Sequence, residues 1–145
     1  MKSIFNKIYI ASDHAGYEVK ELVKKKLYKK NFLNYDLGPN NSSSVDYPDY
    51  AKKVGLAVKR SKSAAGILIC GSGTGMSMTA NRIRGIRAAV CYNTKSTRLS
   101  RLHNNANIIS LGSRLTKKNI ILKLVDIFLS TKFEGGRHLK RVKKI

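Results

Sequence analysis

Short apolar runs alternate with amphipathic helical stretches along nearly the whole chain, and this rhythm constrains the fold more than any other feature. Lys7–Ala11, Phe32–Leu37, Gly66–Cys70, Arg87–Cys91 and Asn107–Leu111 read as strands. Gly16–Lys30 reads as a helix with Val19, Leu22, Val23 and Leu27 on one face. Ala51–Lys59, Gly75–Arg82, Thr94–Leu102 and Lys117–Leu129 supply four more. Buried strands of this kind need cover on both sides. β-α repeated five times therefore predicts an α/β fold, a Rossmann-like three-layer α/β/α sandwich around a five-stranded parallel sheet. Right-handed crossovers in such a sheet put ligands at the carboxyl ends of the strands. The chain has 145 residues and shows no internal repeat or flexible linker. It reads as one domain, residues 1–145, closing in a basic helical tail at about 133–145.

Composition excludes some functions and invites others. No apolar run approaches the roughly 18–20 residues that cross a bilayer. Asn6 and Lys7 interrupt any apolar region of signal-peptide type. Two cysteines make neither a disulfide framework nor a metal site, and reduced thiols in a cytoplasm are the expectation. The charge points the other way: 29 Lys and Arg against 8 Asp and Glu give +21. A nucleic acid, an anionic membrane or an anionic substrate would suit such a balance. The basic residues are not interleaved with stacking aromatics and form no known reading module, which sets nucleic acid aside. Runs such as Lys24-Lys25-Lys26, Lys29-Lys30 and Lys143-Lys144 suit solvated helix faces and a tail.

The residues able to do chemistry fall at strand ends. Asp13 and His14 follow the first strand, and Cys70 closes the third. Cys70 opens Cys-Gly-Ser-Gly-Thr-Gly, residues 70–75, which leads into a helix. Glycines let a loop turn its N–H groups toward one point, which suits a phosphate, a carboxylate or a developing oxyanion. Neither a dinucleotide glycine pattern nor a Gly-Lys-Ser/Thr phosphate loop fits the spacing. A cysteine closing an apolar strand is ordinarily a small buried hydrophobe. Here the first N–H groups of a helix favour a thiolate, so Cys70 is a candidate nucleophile or base. Cys91 has no such loop and reads as buried. His103-Asn104 fall at the amino end of the fifth strand. A five-residue strand is about 17 Å long, so His103 reaches Cys70 only from a second subunit. Arg137 and Arg141, one helical turn apart, could clamp a phosphate.

Five segments taken together resemble the ribose-5-phosphate isomerase B family, whose relatives include galactose-6-phosphate and allose-6-phosphate isomerases. They are IASDHAGYEVKE, DLGPN with SVDYPDYA, GILICGSGTGMSMTANRIRGIRAAVC, SRLHNNANIISLGSR and FEGGRHLKRV. They occur in family order over nearly the whole chain. The resemblance implies interconversion of ribose 5-phosphate and ribulose 5-phosphate, with neither metal nor organic cofactor. A six-carbon sugar phosphate is the alternative substrate. It makes Cys70 the base that moves a proton between C1 and C2 through a cis-enediolate. Gly71, Ser72, Gly73, Thr74 and Gly75 become the anion hole, with the Ser72 hydroxyl helping proton transfer between the oxygens. His103 becomes the ring-opening acid–base, and Asp13 a partner of a substrate hydroxyl. Asn104 and Tyr47 line the pocket; His14, Arg114, Arg137 and Arg141 contact phosphate or sugar. The site is expected between two subunits of a homodimer or a dimer of dimers, with His103 and Asn104 supplied by the partner. One departure stands out: Asn105 occupies a position where the family commonly has Asp.

Overall fold

The computed structural model describes residues 2–145. In chain order they form β1 (Lys7–Ser12), α1 (Tyr17–Lys29), β2 (Asn34–Asp36), α2 (Tyr47–Arg60), β3 (Ala64–Cys70) and α3 (Thr74–Ala80). Then follow β4 (Ala88–Val90), α4 (Thr94–Leu102), β5 (Ile108–Gly112), α5 (Lys118–Ser130) and α6 (Arg137–Val142). The five strands pair in parallel in the order β2-β1-β3-β5-β4. This is the Rossmann-like α/β sheet expected from the alternation.

Side chains alternate across β3 and divide two cores. Ala65, Ile67 and Ile69 join Val19, Val23 and Leu27 of α1 and Leu124, Val125 and Phe128 of α5. Leu68 and Cys70 join Ala51, Val54 and Val58 of α2 and Met76 and Ala80 of α3. Central β3 is buried along all seven residues, whereas the edge strands β2 and β4 shrink to three residues each. An edge strand has one neighbour to bond, so the apolar pattern of Phe32–Leu37 and Arg87–Cys91 overstates its length. Helix α2 starts at Tyr47 rather than Ala51, with Pro48 in its first turn, where the missing N–H costs nothing.

The inner face of α1 differs from its apolar pattern. Leu22 is only partly buried, while Lys20 is fully buried. Its ammonium donates to both Asp36 carboxylate oxygens, at 2.8 and 2.9 Å, and to the Pro39 carbonyl at 2.6 Å. Burial by itself would raise the Asp36 carboxyl, but hydrogen bonds from Lys20 and Lys24 outweigh it and hold the group below its usual range. The lysine runs are accordingly not uniform solvated faces. Lys24 lies 2.6 Å from Asp36, and Lys26 and Lys30 share Asp126 at 2.5 and 2.9 Å. The few acids thus serve as counter-ions for pairs of lysines.

The strand order places the site. β1 lies beside β3, although β2 intervenes in sequence. α1 leaves the top of β1 toward one face, and α3 leaves the top of β3 toward the other. The two exits diverge and open a crevice at the carboxyl ends, the switch point where open α/β sheets bind ligands. Asp13 and Cys70 stand on its two sides.

Candidate active site

Cys70 is 4% exposed and lies in a cleft of about 420 Å³ lined by Asp13, Tyr47, Gly71, Ser72, Gly75, Arg114 and Leu115. Neighbouring strands make this grouping. The backbone N–H of Asp13 donates to Ile69 O at 3.2 Å, and the Asp13 carboxylate accepts the Gly16 N–H at 3.0 Å. Gly16 permits that close turn: a Cβ there would lie 2.2 Å from Ile69 O. On the far side, Ser113 and Arg114 donate backbone N–H groups to Cys70 O and Gly71 O at 2.8 and 3.0 Å. Arg114 is thereby fixed above the loop, its side chain packed against Gly71.

The loop is rigid and turns toward the thiol. Gly73 adopts φ +80°, which favours glycine, and its N–H donates to Cys70 Sγ at 3.1 Å. Thr74 N–H donates to Ser72 Oγ at 3.2 Å. Gly73 and Thr74 therefore use their N–H groups inside the loop, whereas Gly71, Ser72 and Gly75 line the cleft. Ser110 Oγ donates to Gly73 O at 2.6 Å, and the Tyr92 hydroxyl to Ser72 O at 3.1 Å. The Tyr47 ring lies against Gly75, where a Cβ would stand 2.5 Å away. His14 is nearby on the loop after β1, with Nδ1 accepting the Val45 N–H at 3.3 Å. Cys91 contrasts with Cys70: it is fully buried, and burial pushes its thiol above the usual range. Its side chain belongs to the core.

His103, Arg137 and Arg141 gather elsewhere. His103 caps the end of α4, five residues before β5 begins, while Cys70 is paired with Gly112 at the end of β5. The strand separates them within one chain. The His103 ring stacks on that of His138, centroids 4.1 Å apart and planes 12° apart. Glu134 Oε2 lies 3.9 Å from His103 Nε2 and 4.0 Å from His138 Nε2. Burial lowers the His138 imidazole from its usual range, and His103 and Arg137 act in the same direction. Asn104 lines a separate cleft of about 320 Å³ beside β4.

These three donors lie within 4.8 Å of one another and are the one cluster of metal-ligand type among the described residues. Stacked parallel rings cannot both hold one ion in their planes, and two nearby arginines repel a cation. The arrangement suits a shared proton better. Glu134 and His138 escape a reading of the sequence for single residues. Their i,i+4 spacing across Gly135-Gly136, at the start of the basic segment Arg137–Arg141, was the available signal.

The loop carrying His103 hangs on two cations. Arg101, 3% exposed, lies over the Phe5 and Phe128 rings at 4.9 and 5.7 Å. It donates to Thr131 O and Asn105 Oδ1, each at 3.0 Å, and to Ala106 O. Burial, then repulsion from Arg87, pulls its guanidinium down to about 10. Arg87 donates to Asn104 O at 3.1 Å and to Asn105 O at 2.9 Å. Asn105 itself has φ +46°, a conformation Asn tolerates well. A neutral amide thus faces Arg101.

Residues 8–145 match the model of the family described as Ribose/Galactose Isomerase. The chain belongs to that family. The ribose-5-phosphate isomerase B of Escherichia coli is a relative 41% identical over 139 residues, covering 96% of this chain and 93% of its own. A ribose 5-phosphate isomerase of Thermotoga maritima superposes with a TM-score of 0.92 at 52% identity, covering 95% of both chains. The ribose-5-phosphate isomerase B of Mycoplasma genitalium, solved with bound ribulose 5-phosphate, gives 0.91 at 44% identity, covering 95% and 92%. The matched residues 8–145 include all the segments that hold the two residue groups.

Proposed function

We propose that the protein interconverts ribose 5-phosphate and ribulose 5-phosphate by a cysteine-based proton transfer. The observation that carries this reading is the Cys70 thiol, held by a loop N–H, in a cleft with Asp13, Tyr47 and Arg114. The family and the ribulose 5-phosphate held by the Mycoplasma genitalium relative support it.

Removing a carbon-bound proton is difficult, so the base must be poised and the enediolate must meet donors already in place. Cys70 Sγ moves the proton between C1 and C2. Gly71, Ser72 and Gly75 offer backbone N–H groups to the charge on O1 and O2. The unreactive phosphate supplies binding energy that holds these carbons over sulfur. His14, Arg114, Arg137 and Arg141 are its cationic partners. Asp13 orients a sugar hydroxyl.

His103 opens the furanose before the proton transfer. Since β5 separates it from Cys70 in one chain, a second copy supplies His103, Asn104, Arg137 and Arg141 to each cleft. The functional unit is a homodimer or a dimer of dimers. No helix among the described residues is long and apolar enough to cross a membrane. Two free thiols and a phosphorylated substrate point to the cytoplasm.

Turnover of ribose 5-phosphate, followed by the appearance of ribulose 5-phosphate, tests the reading, with allose 6-phosphate and galactose 6-phosphate as competing substrates. Higher kcat/KM for either hexose moves the assignment to the six-carbon branch. No turnover of any of the three overturns it.

A further inference from the structure

The second residue group contains a carboxylate that the proton transfer at Cys70 does not use. Glu134 is brought to His103 by backbone: its N–H donates to Leu102 O at 3.0 Å. Gly135 and Gly136, with φ +70° and +52°, then turn the chain into α6, so that His138 N–H donates to Gly135 O at 3.0 Å. Two consecutive left-handed glycines permit this return. His138 is 5% exposed, and its Nε2 is buried without a hydrogen-bond partner. It forms a fixed wall against which the half-buried His103 ring stacks.

The charge around this wall opposes what ring opening requires. When His103 takes a proton from a sugar hydroxyl it becomes a cation. Arg137 and Arg141 stand close enough to disfavour a second proton on the neighbouring ring. Glu134 is the sole carboxylate within 4.0 Å of either imidazole among the described residues. At 3.9 Å the Glu134 carboxylate lies just outside hydrogen-bond distance of the neutral ring; once the ring is protonated, charge attraction stabilises the imidazolium and draws its N–H toward the carboxylate.

We infer that Glu134 is a positioning residue for furanose opening, holding the His103 ring against His138 and compensating the imidazolium formed in that step. The inference rests on the isomerase reading above. The proton of the O1 hydroxyl passes to His103 as the C1–O1 double bond forms. The bond from C1 to the ring oxygen breaks, and the imidazolium returns its proton to that oxygen. Nothing is oxidised and His103 ends as it began. Glu134 touches neither carbon and exchanges no atom with the sugar.

Ring opening and enolisation can be separated by the choice of substrate. Ribulose 5-phosphate has its terminal oxygen blocked by phosphate, so it cannot close a furanose and stays open-chain. Exchange of its C1 hydrogen with deuterated solvent therefore reports Cys70 without ring opening. Wild type, Glu134→Gln and Glu134→Asp are compared by single-turnover conversion of ribose 5-phosphate and by this exchange. Glu134→Gln is expected to slow conversion roughly tenfold to a hundredfold, within what acid–base assistance contributes, while exchange stays within about twofold and Glu134→Asp recovers part of the loss. Equal loss in both assays assigns Glu134 a merely structural role and overturns the inference, as does an unchanged conversion rate. Wild type that neither converts nor exchanges overturns the isomerase reading, and this inference falls with it.

Discussion

The Cys70 cleft and the His103 cluster are built by opposite means. The cleft belongs to the sheet: Cys70 ends a central strand, Asp13 and Arg114 follow two others, and backbone hydrogen bonds between the strands set their spacing. The cluster belongs to the periphery: a helix end, a glycine turn and the short α6 meet through stacked rings and one shared carboxylate. Backbone pairing makes the first half rigid before any ligand arrives. The second half is held by side chains, and in the reading proposed above it acts when a second copy brings it to a cleft.

The largest expected effect tests whether the halves cooperate. Cys70→Ala should lower turnover by about 10²–10⁴, the range for a lost acid–base group. His103→Ala should lose turnover of ribose 5-phosphate as well. Mixed under conditions that exchange subunits, the two inactive variants should regain about a quarter of wild-type activity, since hybrid twofold dimers keep one intact site in two. If mass spectrometry shows exchange while activity stays absent, both residues act within one chain and the comparison fails.

The next effect concerns the support beneath the sheet half. Asp36→Asn leaves the buried Lys20 ammonium without its carboxylate, which should cost about 3 kcal/mol in urea unfolding at pH 7. The Asp36 carboxyl is held below its ordinary 3.8, so its stabilising contribution is complete above that value. It is lost as pH falls through the depressed native value. Wild type and variant should therefore converge in strong acid; a gap that persists there rules out the ion pair as its source.

A smaller effect tests the rigidity of the cleft. Gly75→Ala sets a methyl 2.5 Å from the Tyr47 ring. It should destabilise by about 1–2 kcal/mol and raise KM through the displaced Tyr47. Unchanged KM would show that Tyr47 plays no part in holding substrate. The smallest effect belongs to the cluster. Asn105→Asp gives buried Arg101 a charged acceptor and should add about 1 kcal/mol of stability at neutral pH. Thermal melts at pH 7 and below pH 4 would show the gain and its disappearance on protonation.

Much of this was legible in residues alone, and the failures have physical causes. β3 is apolar throughout and central, so its pattern and its burial agree. The edge strands were overread because periodicity records side-chain burial, not the number of bonding neighbours. Lys20 was invisible as a core residue because its partners, Asp36 and the Pro39 carbonyl, lie in a different element. His103 and Cys70 were each identifiable, as was their separation by the length of β5. Glu134 was not, since its i,i+4 spacing to His138 gains meaning only when the glycine turn folds back onto α4.

By itself the sequence determined the five β-α units, the glycine loop after Cys70 and the excess of positive charge, because each is written in neighbouring residues. Tertiary structure decided what no local pattern holds. β1 pairs with β3 across an intervening strand and so sets Asp13 beside Cys70. The sheet then carries His103 to the other end of β5, where it meets Glu134 and His138. Strand order arises from long-range pairing of buried backbone, and that pairing is fixed only when the whole sheet has formed.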